Sequence, residues 1–169
     1  MIDVDNRRNC ALIDVSVAKT KPGADLAERI GSIALEIEAA ITKHQPERIA
    51  LERVFAQANL RTVMGVAQIS GVVLFLANKH QIPLSFYTPS EVKAAVTGSG
   101  RAAKEQVGNM VAKILKLAEL PKPADAADAL AIAITAAWKS ANAVEDKPLT
   151  KAQRVWQEAQ AAAANSNKR

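Results

Sequence analysis

Cysteine is nearly absent: Cys10 is the single one in 169 residues. An intramolecular disulfide is therefore excluded, and a reducing compartment is expected. Cys10 lies among turn residues at the start of a strand, which argues against a nucleophile. Aromatic residues make up only 4% of the chain, and His44 and His80 are its only histidines. Each histidine precedes a short break before a strand and is expected at the surface. No Ser-His-Asp spacing and no zinc-ligand pattern can be assembled. Glycine is scarce too, and its richest run, Thr97-Gly-Ser-Gly-Arg101, lacks the Gly-Lys-Ser/Thr ending of a nucleotide loop. A mobile loop that touches phosphate is the most it supports. No apolar run reaches the length of a membrane span, and the opening residues Met1 to Arg8 carry no signal-peptide pattern. A soluble, cytoplasmic protein is expected.

What the chain does have is alanine, aliphatic residues and a net charge of +5. The charge permits a polyanionic partner without demanding one. The length suits one domain, expected over residues 1–140, followed by a polar, alanine-rich tail over 141–169. One transient helix is expected in that tail around 151–164, with Trp156 a loose packing contact.

Residues 11–18 alternate, with Ala11, Ile13, Val15 and Val17 on one face and Leu12, Asp14 and Ser16 on the other, which predicts a strand. Ile2 and Val4 read as its hairpin partner across the turn residues 5–9. The chain thus begins inside a strand. Leu26, Ile30, Ile33, Ile37 and Ile41 form the stripe of a first helix. Residues 48–55 then read as a strand buried on both faces, as in a parallel sheet, interrupted by Glu52. A carboxylate there is costly unless a base or a cation meets it. Residues 60–79 predict a helix that is apolar almost all round and needs cover on two sides: the sheet on one, a second protomer on the other. Gly65, Ala67, Ser70 and Gly71 would allow close approach, and Val72 and Leu76 are expected in that contact. Residues 82–87 form a further strand. Thr88-Pro-Ser-Glu91 is a capping box that opens a helix stopping at Thr97-Gly98, and 102–117 form another helix with Val107, Val111, Ile114 and Leu115 inward. The order is hairpin, α, β, α, β, then helices: an α/β domain with functional residues at the carboxyl ends of its parallel strands.

Pro121 and Pro123 prepare one more helix start, and Asp125 and Asp128, three apart, share a face of it. Helix capping explains acids at such a place. So does a divalent cation, and Ala124, Ala126, Ala127 and Ala129 leave space beside the acids for a hydrated ion and a bulky anion. Glu52 supplies a third acid. Arg53, Arg61, Lys93, Arg101, Lys104, Lys113 and Lys116 supply bases. Acids that hold metal, ringed by bases that hold phosphate, are the parts of a metal-dependent phosphodiesterase, although exposed faces scatter lysines in much the same way.

Five stretches together, Ala50-Leu-Glu-Arg-Val-Phe55, Thr88-Pro-Ser-Glu-Val-Lys93, Val96-Thr-Gly-Ser-Gly-Arg101, Lys104-Glu-Gln-Val107 and Ala124-Asp-Ala-Ala-Asp-Ala-Leu-Ala131, resemble the RuvC family of Holliday junction resolvases. The resemblance runs in order and in spacing from about Ile2 to Ser140. It implies a ribonuclease H-like α/β fold with a mixed sheet flanked by helices. It also implies a homodimer and Mg²⁺-dependent symmetric nicking of a four-way junction during recombination and repair, with a RuvA–RuvB branch-migration complex as partner and two Mg²⁺ ions per site. By resemblance Glu52, Asp125 and Asp128 fall on metal-binding carboxylates, Lys93 and Lys104 on active-site lysines, and Phe55 on an aromatic that meets bases. Arg61 and Arg101 are expected phosphate contacts. The family opens with a strand ending Asp-Pro-Gly whose Asp is a fourth ligand, and this sequence has none. A first strand lost to a late start or a truncation is the expectation; Asp3 and Asp5 lie on the hairpin and are not taken as substitutes. A dimer that binds junctions without cutting is the alternative, and a ribonuclease H-like nuclease with another nucleic-acid substrate is a third.

Overall fold

The computed structural model describes residues 1–53, 60–119 and 123–142. It begins with an antiparallel hairpin of β1 (Ile2–Val4) and β2 (Cys10–Leu12), in which Ile2 faces Leu12 and Val4 faces Cys10. Asp5 builds the turn. Its carboxylate accepts the amides of Arg7 and Asn9, both at 2.8 Å, and the Asn9 side-chain amide at 2.7 Å, while Arg8 takes a positive φ of 65°. Those bonds, led by the Asn9 side chain, hold the Asp5 carboxyl below its ordinary range. Asp5 is thus the residue that builds the turn.

The second strand is shorter than the alternation predicts. Pairing ends at Leu12, and the amides of Ile13 and Asp14 both converge on the carbonyl of Met1. Residues 13–20 carry no strand, so Ile13, Val15 and Val17 are exposed. Alternation marks a face to be buried, but a strand also needs a neighbour to bond with.

Helix α1 (Leu26–His44) starts at Asp25, whose side chain accepts the amide of Glu28. Of its apolar stripe only Ile41 is buried, and Leu26 is exposed. Two clusters hold its far half: Asp14 takes both Lys43 and His44, and Glu38 takes both Lys79 and His80. The histidines therefore pair with carboxylates instead of standing alone at the surface. Strand β3 (Ile49–Glu52) follows and pairs in parallel with β4 (Leu84–Tyr87), Glu52 opposite Tyr87. The described part of this strand is half-buried, less covered than the sequence suggests. The expected mix of strand directions is present: the described strands form one antiparallel and one parallel pair.

Helix α2 (Leu60–Lys79) connects β3 to β4. Helix α3 (Pro89–Thr97) carries the complete capping box of Thr88 and Glu91 and ends on Gly98 at φ 82°, a conformation that glycine adopts without penalty. Helix α4 (Lys104–Leu115) buries Val107, Val111 and Leu115, and α5 (Ala124–Asn142) buries Leu130, Ala131 and Ile134. The core lies where α3, α4 and α5 meet β4 and the hairpin. Thr135, fully buried, returns its hydroxyl to the Ala131 carbonyl at 2.8 Å, so no polar group is stranded there. No described helix is long and apolar enough to cross a membrane. The chain divides into Met1–Lys139 and Ser140–Arg169; in the second part the readings made for residues 151–164 and Trp156 lie outside the described residues.

Candidate active site

The parallel pair ends at Glu52 and Tyr87, and Glu52 at this end shares with Asp125 and Asp128 of α5 an electrostatic influence on one lysine, Lys104. Glu52 is exposed. The desolvation cost expected of a carboxylate inside a buried strand therefore does not arise, because the strand reaches solvent at this residue. Asp125 lies in the first turn of α5 and Asp128 one turn further, exposed and half-buried respectively. Among the described residues neither accepts a capping hydrogen bond from a backbone amide. Ala126 and Ala127 turn into the core instead of flanking the acids, which leaves Ala124 and Ala129 as the exposed small neighbours.

Lys104 joins the three acids. It opens α4, where the N-cap Ala103 gives no side-chain bond and a cation opposes the helix dipole. Asp128 compensates, its Oδ2 lying 2.7 Å from Lys104 Nζ. The lysine pKa is raised above its ordinary value, first by the hydrogen bond to Asp128 and its charge, then by the fields of Asp125 and Glu52. One ammonium thus lies in the field of three carboxylates drawn from β3 and α5, some 70 residues apart in sequence, a spacing that sequence periodicity cannot relate. The acids share this field without forming a closed cage: among the described residues no three potential ligands stand close enough to hold one ion. Three carboxylates with solvent access are hard oxygen donors of the kind a divalent cation such as Mg²⁺ takes.

The other candidates are placed less centrally. Lys93 lies half-buried on α3 and makes no ion pair among the described residues. Arg101 is exposed on the loop between α3 and α4, its amide 3.4 Å from Ser99 Oγ. Arg61 belongs to the first turn of α2. Phe55 lies outside the described residues. Glu52 also borders an open cleft of about 660 Å³, whose walls include Ile30 and Ile33 of α1, Leu51 of β3, Ile69 of α2 and Ile132 of α5. Most of its walls are apolar, with Arg29, Gln68 and Ser70 among them. A group that motif reading passes over is the set Tyr87, Glu91 and Lys139 behind the site, with Lys139 Nζ 2.8 Å from Glu91 and 5.3 Å from the Tyr87 ring centre. The capping box marks Glu91, but nothing local marks its partner 48 residues on.

Residues 2–136 match the family model described as Crossover junction endodeoxyribonuclease RuvC. A protein of that name from Pseudarthrobacter chlorophenolicus is 46% identical over 96% of this chain and 88% of its own length. The one from Clavibacter michiganensis is 53% identical over 83% of this chain and 69% of its own. Among solved structures, Thermus thermophilus RuvC superimposes with a TM-score of 0.74 at 35% identity, covering 83% of this chain and 85% of that one. T. thermophilus RuvC in complex with Holliday junction substrate gives 0.79 at 35%, covering 84% and 86%. The ribonuclease H-like α/β class expected from the sequence is the class of these structures, and from model, relatives and fold alike the chain belongs to the RuvC family of crossover junction endodeoxyribonucleases.

Proposed function

We propose that this nuclease resolves Holliday junctions by Mg²⁺-dependent, symmetric nicking of two opposed strands in recombination and repair. One observation carries the reading: Lys104 draws Asp128, Asp125 and Glu52 into one electrostatic neighbourhood at the end of the parallel strands. Those three acids would hold Mg²⁺. When bound, the ions neutralise phosphate charge and activate water. Lys104 keeps its charge at every physiological pH. It holds the Asp128 carboxylate in place and offers an ammonium to charge that develops on the scissile phosphate. Lys93 adds a second cation from α3, Arg101 and Arg61 bind flanking phosphates, and Phe55 meets bases at the junction centre.

A homodimer would present two such sites to opposed strands. The outward face of α2 supports it, but through other residues than Val72 and Leu76. Leu76 is buried within the protomer and Val72 is half-buried, whereas Met64, Leu74 and Phe75 are exposed. The helix turns its Val73, Leu76 and Ala77 inward, so the apolar residues left outside lie on the next stripe round. A RuvA–RuvB complex is the assembly partner and the cytoplasm the compartment in this reading.

A second reading, a dimer that binds junctions without cutting, is favoured by the spread of the acids, none of which joins two others within the reach of one ion. Junction binding and nicking measured side by side, with and without Mg²⁺, separate the two. Mg²⁺-dependent, paired nicks support resolution; tight junction binding with no nick at any Mg²⁺ concentration supports the second reading. Cutting of other structures in preference to the four-way junction overturns both and leaves a nuclease with a different substrate.

A further inference from the structure

Helix α3 brings Lys93, yet nothing on its own surface holds that lysine's amine: Lys93 makes no ion pair among the described residues. Its position is therefore inherited from how α3 is mounted, and the mounting is concentrated in the helix's first turn. Glu91, two residues before Lys93, accepts the Thr88 amide at 2.8 Å and the Thr88 hydroxyl at 2.9 Å through Oε2. Its other oxygen, Oε1, takes Lys139 Nζ at 2.8 Å. Lys139 also lies over the ring of buried Tyr87, the residue paired with Glu52 in the sheet. Gly100 also comes so close that a Cβ there would stand 3.2 Å from the Ser90 carbonyl, which packs the Arg101 loop against the same turn. An ordinary capping box needs none of this, because Thr88 and Glu91 already satisfy one another. The added cation comes from the last turn of α5, roughly 16 Å along its axis from Asp128.

We propose that Glu91 and Lys139 form a clamp that positions Lys93 in the site, so that the far end of α5 places the lysine which works with the carboxylates at its near end. This rests on the reading that Lys93 and Lys104 both face the junction. Lys139 and Glu91 are positioning residues and touch no substrate. The clamp fixes the rotation of α3 against the Glu52–Tyr87 strand ends; without it α3 keeps its cap and its core contacts through Val92 and Val96 but loses its fixed angle to α5.

The test is acetylation of lysine amines by N-hydroxysuccinimide acetate, read by peptide mass spectrometry on the full chain with and without a synthetic four-way junction, in Mg²⁺-free buffer. In the unaltered chain the junction protects both Lys93 and Lys104. In K139M and E91Q, protection of Lys93 falls about fivefold, the ratio for an interaction of ~1 kcal/mol, while that of Lys104, held separately by Asp128, does not change. K139R, which keeps a cation for both Glu91 and Tyr87, restores Lys93. E91Q retains a cap acceptor, so it reports even where K139M fails to fold. Unchanged protection of Lys93 in both variants overturns the clamp, and so does an equal loss at Lys93 and Lys104, the mark of general loosening. Absence of protection at both lysines in the unaltered chain refutes the reading of the site itself, and the clamp with it.

Discussion

Helices α2 and α5 are nearly equal in length, 20 and 19 residues, and both read as apolar on most sides. The structure treats them in opposite ways. In α5 the side chains of Leu130, Ala131, Ile134 and Thr135 are at most 2% exposed, with α3 and α4 packed into the same core. In α2 Phe75 is 64% exposed and Met64 53%, and among the residues whose side chains are described only Val73, Leu76 and Ala77 are buried. Composition alone does not separate a helix that organises a protomer from one with apolar surface to spare. The distinction lies in what surrounds each helix. Alanine lets α5 sit close to its neighbours, and its charged groups stand at its two ends, where Asp128 meets Lys104 and where Lys139 meets Glu91, while the one hydroxyl buried between them, Thr135, bonds the helix's own backbone. An apolar face as open as that of α2 is the kind of surface on which the proposed dimer would be built.

The sharpest break in this comparison is expected at the near end of α5. Asp125→Asn and Asp128→Asn keep shape and remove the charge a divalent ion requires, so junction cutting should fall on the order of a hundredfold or more while junction affinity holds. Single-turnover cleavage beside a binding titration checks it, and nicking at the unaltered rate by either variant returns these acids to a helix-terminal role. Next in size is the middle of α5. Ile134→Ala empties a fully buried position and should cost about 2–5 kcal/mol in urea unfolding, whereas Phe75→Ala, exposed in the protomer, should cost well under half of that in a dilute, monomeric sample. Equal losses would mean that α2 is as deeply packed as α5.

Much of this was legible beforehand. Helix 60–79 has the bounds that its apolar run predicts, and the capping box at Thr88 and Glu91 forms as its spacing requires, because caps depend on residues three apart. The strand over 11–18 was over-read. Alternation reports sidedness, but pairing is a matter of what lies alongside, and beyond Leu12 nothing described does. Likewise Leu76, expected at a contact between protomers, is buried inside its own, since a helix that is apolar all round carries no signal for which side faces in. Asp125 and Asp128 could be singled out from their spacing; that Lys104 would be the base to meet Asp128, or Lys139 to meet Glu91, is a long-range fact that no local pattern encodes.

A change to the surface of α2 should sharpen the comparison from its other side. Phe75→Glu puts a charge on the exposed stripe, harmless to the protomer core but costly in a desolvated contact. Sedimentation should show a raised monomer fraction with thermal unfolding of the monomer little changed. An unaltered assembly state would place the partner-facing surface elsewhere than α2.

The smallest effect is expected at the far end of α5 and is read through pH. The Glu91 carboxyl is held down to about 2, first by the hydrogen bond from Lys139, then by the amide of Thr88. Because its folded value lies below the unfolded one, near 4.5, the stabilisation is present in full above that range. It is lost as pH falls from there toward 2, when the folded carboxyl also takes its proton. The shift taken at face value overstates the energy, since 44% of the Glu91 side chain and 40% of the Lys139 side chain face solvent, and water screens such a pair to no more than about 1 kcal/mol. Urea unfolding of the unaltered chain and of Glu91→Gln should therefore differ by that much near pH 7 and converge by about pH 2. A constant difference across that range would assign the effect of the substitution to packing and not to charge. High salt should narrow the gap at pH 7, and a gap indifferent to both salt and pH would leave Lys139 no electrostatic part in holding α3.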